Sequence, residues 1–245
     1  MRQALIFLFL VVTVGCVTVY NPATEKKEIY FIDDKSEVSI GKSIAREVIR
    51  DNHIIKDYFL NKKVERIGEK IARVCDRNYL SYHFYIIDEK GINAFSLPGG
   101  YIFVNKEAVN VLSEDELAFV LAHEIGHVCA RHAVKRLQAS LGMSLVLSLA
   151  LKDAESVLIR DATDIIYNLV ALGYSRQDEF LADSLAVKYT YKAGYNPKAG
   201  VTLMEKLKRG TKSNYTLVFL RSHPPILERI KNIEEKIEAI NASRY

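Results

Sequence analysis

Residues 113–136, SEDELAFVLAHEIGHVCARHAVKR with its preceding context, constrain this chain more than any other stretch. Ser113 and Glu116 form an S-x-x-E capping box, which predicts a helix starting there. Leu117 to Ala122 are apolar on every side, so the helix is expected inside a core rather than on a surface. Into that helix the sequence sets His123, Glu124 and His127. The two histidines are one turn apart and share a face, with Glu124 beside them. Buried polar groups left without partners cost about 2–7 kcal/mol each, so this trio needs a common ligand. Histidines at i and i+4 chelate Zn²⁺ well, and the glutamate between them can serve as general base. His132 lies off the shared face and is expected to hydrogen-bond rather than ligate. Cys129 is about 200° round the helix from His127 and is not expected to reach the metal.

At 245 residues, 49% of them hydrophobic and 26% charged, the chain can build a core large enough to enclose such a helix. The net charge is +4, and no basic cluster is interleaved with aromatics, which argues against a nucleic-acid partner.

The N-terminus reads as a targeting segment. Arg2 precedes an apolar run from Ala4 to Val14 that is too short to span a bilayer. The run ends in Thr13-Val14-Gly15-Cys16, which resembles a bacterial lipoprotein signal. Residues 1–15 are therefore expected to be a signal peptide and Cys16 the lipidated first residue of the mature protein. Residues 17–34 are expected to be a tether and lead-in segment with a turn at Asn21-Pro22, and residues 35–245 the functional domain. Cys75 and Cys129 are candidates for one disulfide in an oxidising compartment, although their spacing does not place them together.

Residues 37–50 and 57–77 have helical periodicity, with Val64, Ile67, Ile71 and Val74 on one face. Residues 80–88 switch to the alternating pattern of a strand, and residues 101–105 form a second. Between them, Asn93-Ala94-Phe95-Ser96-Leu97-Pro98-Gly99-Gly100 puts a proline and two glycines in a sheet region. That composition indicates an edge, a bulge or a close backbone approach, and an edge strand can pair with an extended peptide. Asn93, Ala94, Phe95, Pro98, Gly99 and Gly100 are the candidate substrate-binding residues. Residues 137–151 carry no charge and fall short of a membrane span, so they are expected to form a buried helix, with a membrane-dipping segment as the alternative.

Residues 174–191, YSRQDEFLADSLAVKYTY, place Glu179 and Asp183 one turn apart on one helix face. Like charges at that spacing repel, unless a metal centre uses both. Glu179 is then the third ligand, and Asp183 holds a ligand histidine by its other ring nitrogen, with Arg176 as a further supporting group. Glu155, Asp161 and Asp164 are rival third ligands. Farther on, Ser222-His223-Pro224-Pro225 fixes His223 in an extended backbone ahead of a final helix. That helix carries Ile226, Ile230, Ile233, Ile237 and Ile240 on one stripe, which is expected to pack on the domain.

Five segments together resemble the zinc metallopeptidase family that contains the heat-shock protease HtpX and the CAAX prenyl endopeptidases. They are N-A-F-x-L-P-G-G (Asn93–Gly100), E-L-A-x-V-L-A-H-E-I-G-H (Glu116–His127), Arg131-His132, S-R-x-x-E-x-x-A-D (Ser175–Asp183) and S-H-P-P (Ser222–Pro225). The resemblance implies an α+β, mainly helical fold of the gluzincin type, with a small sheet whose edge strand binds substrate. It implies one Zn²⁺ per chain held by His123, His127 and Glu179, with Glu124 as catalytic base. His223 is implied at the active site, as an oxyanion donor or a fourth ligand in a resting state. The transmembrane helices of those two members are not evident, so the similarity is to small exported lipoprotein members of the family. Their quality-control role implies unfolded or misassembled envelope polypeptides as substrates. The expected location is the periplasmic side of a bacterial membrane, the outer one in preference, through the Cys16 anchor. A chaperone-like or adaptor lipoprotein is the alternative from another class. A purely structural zinc protein is disfavoured, because three ligands leave an open position.

Overall fold

The computed structural model describes residues 17–140, 173–209, 223 and 226–242. Its organising element is the helix expected from the capping box, Glu114–Cys129. The Ser113 side chain accepts from the Glu116 amide, and the Glu116 carboxylate accepts from the Ser113 amide, so two orphan donors of the first turn are satisfied reciprocally. From Glu116 to Cys129 every residue is buried.

In chain order, β1 (Val17–Asn21) and β2 (Lys26–Tyr30) precede α1 (Asp34–Asp51) and α2 (Tyr58–Ala72). Next come β3 (His83–Ile87), β4 (Ala94–Leu97) and β5 (Tyr101–Asn105), the short α3 (Lys106–Val111), and the buried helix, α4. Helical backbone resumes over residues 132–140. The described chain ends with α5 (Arg176–Lys192), α6 (Ala199–Arg209) and α7 (Ile226–Ala242). Helices α2, α5 and α6 pack around α4, and the apolar residues they share form one continuous core. In α7, Ile233 is fully buried and Ile230, Ile237 and Ile240 lean on that core, so the isoleucine stripe packs on the domain.

The three-stranded sheet has the order β3-β5-β4, with β3 parallel and β4 antiparallel to β5. Central β5 is buried along its whole length, which is why Tyr-Ile-Phe-Val reads as a continuous apolar run rather than an alternation. Strand β4 lies at one edge, against α4. After it, Pro98–Gly100 make a single 3-10 turn in which Gly99 has φ +74, a conformation that a β-carbon disfavours. Helix α1 lies directly on this turn. A β-carbon on Gly41 would sit 1.8 Å from the Pro98 carbonyl oxygen. Buried Glu37 accepts from the Gly99 amide at 3.1 Å while pairing with Arg77 (2.9 and 3.0 Å) and Arg131 (2.9 Å). The proline-glycine signal thus marks an edge strand and a close backbone approach together.

The stretch expected to be a tether folds instead into a hairpin, β1 against β2. Two anchors hold it to the end of α4. The Asn21 amide donates to the Cys129 carbonyl at 3.3 Å, and the Arg131 guanidinium lies 4.0 Å over the buried Tyr30 ring. Both are tertiary contacts that local sequence does not announce.

Of the uncharged stretch 137–151, Leu137 is helical and buried, while residues 141–151 lie outside the described residues, as do the signal segment, Cys16, Glu155, Asp161, Asp164, Ser222, Pro224 and Pro225. Among the described residues, no helix is long and apolar enough to cross a membrane.

Candidate metal centre and active site

The approach of α5 to α4 is what assembles the site. Gly126 sits on the facing side of α4, where a β-carbon would lie 3.1 Å from the Ala182 carbonyl oxygen and 3.3 Å from Leu185. Without that side chain, α5 packs close enough to bring Glu179 and Asp183, both fully buried, beside His123 and His127. Helix α5 starts on its own capping box, Ser175 with Asp178, so Glu179 is the fourth residue of the helix.

His123, His127, Glu179 and His223 each direct one ligand atom into a space where all four lie within 4.8 Å of one another. His123 Nε2 is 3.0 Å from His127 Nε2 and 3.4 Å from Glu179 Oε2. His127 Nε2 is 3.4 Å from Glu179 Oε1, and His223 Nδ1 lies 2.9 Å from Glu179 Oε1 and 3.4 Å from His123 Nε2. A tetrahedral ion with bonds of about 2.0–2.1 Å needs ligand atoms about 3.3–3.4 Å apart, so the spacing suits such an ion. The charge also fits. Glu124, Glu179 and Asp183 are completely buried, and Arg229 is the only lysine or arginine among the described residues with no exposed surface. Three buried carboxylates against one guanidinium leave a deficit that a divalent cation offsets.

Each first-line group is braced. Asp183 Oδ1 is 3.0 Å from His123 Nδ1. His127 Nδ1 lies 2.8 Å from His132 Nδ1, and His132 Nε2 lies 3.4 Å from Asp178, so His132 has the hydrogen-bonding role expected of it. The Tyr174 ring stacks on His127 at a centroid distance of 4.0 Å. Arg176 does not join the site. It is 62% exposed and pairs with Glu228 on the surface, because the first turn of α5 turns it toward solvent.

Sequence reasoning missed two buried groups. Arg229 bridges α7 to the centre: Nε and Nη2 each donate to Asp183 at 2.7 Å, Nη1 donates to the His223 carbonyl at 3.1 Å, and Nη1 also lies 3.1 Å from Glu179 Oε2. Its signal was available, since an arginine three residues after Ile226 and four before Ile233 occupies the apolar stripe. Ser96 is the other. Its hydroxyl donates to Glu124 Oε2 at 2.9 Å, which ties the edge strand to the carboxylate between the histidines. The strand period, which puts Ser96 on the same face as Ala94, could have shown it. Glu124 Oε1 has no hydrogen-bond partner among the described residues and is 3.6 Å from His223 Nε2.

The electrostatics separate the two α4 histidines. For His123, burial and the Arg229 charge both oppose protonation, but hydrogen bonds to Asp183 and Glu179 prevail and hold its pKa up at about 9. For His127, burial dominates and pushes the value down to about 3. Burial works against ionised Glu179, but the charges of His223 and Arg229 and hydrogen bonds to His123 and His127 keep it well below the usual carboxylate range. Asp183 is likewise lowered, with the Arg229 charge and hydrogen bonds overcoming burial. Two of the four donors are thus set as metal ligands require, a neutral imidazole and a carboxylate.

Two histidines from α4, a carboxylate from α5, and a glutamate between the histidines that a serine of the edge strand holds define a metallopeptidase centre. Peptidase family M48 matches residues 59–237, and the chain belongs to that family. It is 30% identical over 231 residues to the mitochondrial metalloendopeptidase OMA1 of Schizosaccharomyces pombe, covering 92% of this chain and 68% of that protein. It is 25% identical to the beta-barrel assembly-enhancing protease of Escherichia coli, covering 70% of this chain and 37% of the relative. The metalloprotease LoiP of Escherichia coli is also 25% identical, with 73% and 71% covered. The chain therefore spans well under half the length of the assembly-enhancing relative.

Proposed function

We propose that this metallopeptidase is an exported, lipid-anchored zinc endopeptidase that cuts unfolded or misassembled polypeptides of the bacterial envelope. The observation that carries the chemistry is the clustering of His123, His127, Glu179 and His223, next to a buried Glu124 with one carboxylate oxygen tied by Ser96 and the other left over. The names of the assembly-enhancing protease and LoiP support an envelope substrate and location, and the apolar run ending in Thr13-Val14-Gly15-Cys16 supports the anchor. A gluzincin-type ligand set, with Glu179 third, is part of the same reading.

Zn²⁺ held by His123, His127 and Glu179 would polarise the scissile carbonyl and make water acidic near pH 7. Glu124 takes the proton of the attacking water and passes it to the leaving amine. Ser96 fixes the Glu124 carboxylate so that its free oxygen faces the reaction. The substrate strand pairs along β4, with the Pro98–Gly100 turn, held by Glu37, ending the register. In the described conformation His223 Nδ1 sits among the ligand atoms, which supports the resting fourth ligand over the oxyanion donor.

The test is zinc content and casein hydrolysis in the purified protein. Wild type should hold one zinc per chain and cut casein, and Glu124→Gln should keep the zinc and lose cleavage. Normal cleavage by that variant would end the mechanism. His223→Ala should cut faster with zinc retained if the histidine is a resting ligand. A loss on the order of 100- to 1,000-fold with full zinc would return it to the oxyanion role.

A further inference from the structure

Among the described residues Cys75 and Cys129 belong to no metal cluster, and both are buried. Cys129 ends α4, and Cys75 sits in the turn that follows α2. They are 54 positions apart in sequence. Packing nevertheless sets both sulfurs against one phenol: Tyr82 Oη is 3.3 Å from Cys75 Sγ and 3.6 Å from Cys129 Sγ. The sulfurs are therefore no more than about 7 Å apart. The Tyr82 hydroxyl has the Arg77 carbonyl within 3.4 Å, so it keeps an acceptor if the sulfurs turn to each other.

We propose that Cys75 and Cys129 are a dithiol that closes to an intramolecular disulfide, a modification site separate from the metal centre, with a small-molecule or protein disulfide as oxidant. While the chain is still folding and both thiols are accessible, one cysteine thiolate attacks a sulfur of the external disulfide, forming a mixed disulfide and expelling one thiol. The second cysteine then attacks the protein sulfur of that bond, and the second external thiol leaves. Two protein thiols are oxidised, one external disulfide is reduced to two thiols, and the two protons end on those leaving groups. The bond encloses β3, β4, β5, α3 and α4 in one covalent loop, so the substrate edge and both α4 histidines lie inside it. Burial at 4% and 0% exposure shields the closed bond from reductant, which suits a structural disulfide rather than a labile one.

The experiment is disulfide mapping of the full chain, reduced, unfolded and refolded in a buffer of reduced and oxidised glutathione. The protein is then denatured, alkylated with iodoacetamide without reductant, and digested. The Cys75 and Cys129 peptides should appear as one linked species, two hydrogens lighter than the separate thiol peptides. Reduction should lower the thermal midpoint of the wild type by about 5–10 °C, from the usual 2–4 kcal/mol of a native disulfide. The same treatment should leave Cys129→Ala unmoved. Alkylation of both cysteines, a glutathione adduct on each, or linkage of either to Cys16 would overturn the proposal. Peptidase activity is no part of the readout, so this outcome is independent of the zinc mechanism.

Discussion

At the scale of single residues, the centre depends on charges that the protein interior cannot otherwise hold. Arg229 is fully buried and reaches Asp183, Glu179 and the His223 carbonyl at once. Removing one partner of a buried ion pair leaves the others unpaired, at about 3–5 kcal/mol. Arg229→Met keeps an unbranched apolar stem and removes the charged guanidinium, so it should lower stability by that amount, read as an earlier midpoint in urea. It should also weaken zinc retention, because Asp183 then loses the group that orients it toward His123. An Arg229→Met protein with wild-type midpoint and zinc content would show that the ion pairs are dispensable. Asp183→Ala tests the same chain from the other end, with zinc affinity or activity expected to fall by about 10- to 100-fold.

At the scale of elements, α4 is held at its N-terminus by a cap that is also an ion pair. The Glu116 carboxylate accepts from the Ser113 amide at 2.9 Å and from Lys206 of α6 at 2.7 Å. Burial opposes its ionisation, but the Lys206 and Ser113 hydrogen bonds prevail and lower its pKa. A carboxyl lowered on folding stabilises the protein above its unfolded pKa, near 4.3, and loses that contribution as pH falls through the folded value. Glu116→Gln should therefore cost about 1 kcal/mol near neutrality, in the range of a lost cap. It should also flatten the fall in stability between about pH 5 and pH 3. Equal pH slopes for variant and wild type in urea titrations would dissociate the cap from acid sensitivity. The α1 clamp on the Pro98–Gly100 turn is of the same kind: Glu37 joins α1 and that turn to Arg77 and to Arg131, which follows α4.

At the scale of the whole molecule, the metal is expected to be part of the fold. Its candidate ligands come from α4, α5 and the segment before α7, so a bound ion would crosslink elements far apart in the chain. Saturating zinc at 100 to 1,000 times Kd is worth about 2.7–4.1 kcal/mol, and a domain of this size moves about 2–4 °C per kcal/mol. Stripping zinc with a chelator should lower the thermal midpoint by about 5–15 °C, and zinc added back should restore it. A midpoint indifferent to a verified loss of metal would mean that the apo centre is held by its internal ion pairs alone.

The sequence by itself determined the helix α4, its cap, its burial and the two histidines with their glutamate. All of these are local: a capping box spans four residues, and i to i+4 spacing is one helical turn. The pairing of Glu179 with Asp183 was legible for the same reason. Tertiary structure decided the rest. It set Gly126 against Ala182, so that a carboxylate 52 positions beyond His127 reaches the metal cluster. It turned Arg176 outward and Arg229 inward, although both are arginines near helix starts. It folded residues 17–30 into a hairpin because Tyr30 and Asn21 find partners beside the end of α4. Ser96 met Glu124, and Cys75 and Cys129 came to share Tyr82, only through packing of a strand or a turn on that helix. Periodicity encodes which face of an element is apolar. It does not encode which other element that face meets, and the chemistry of this centre lies in those meetings.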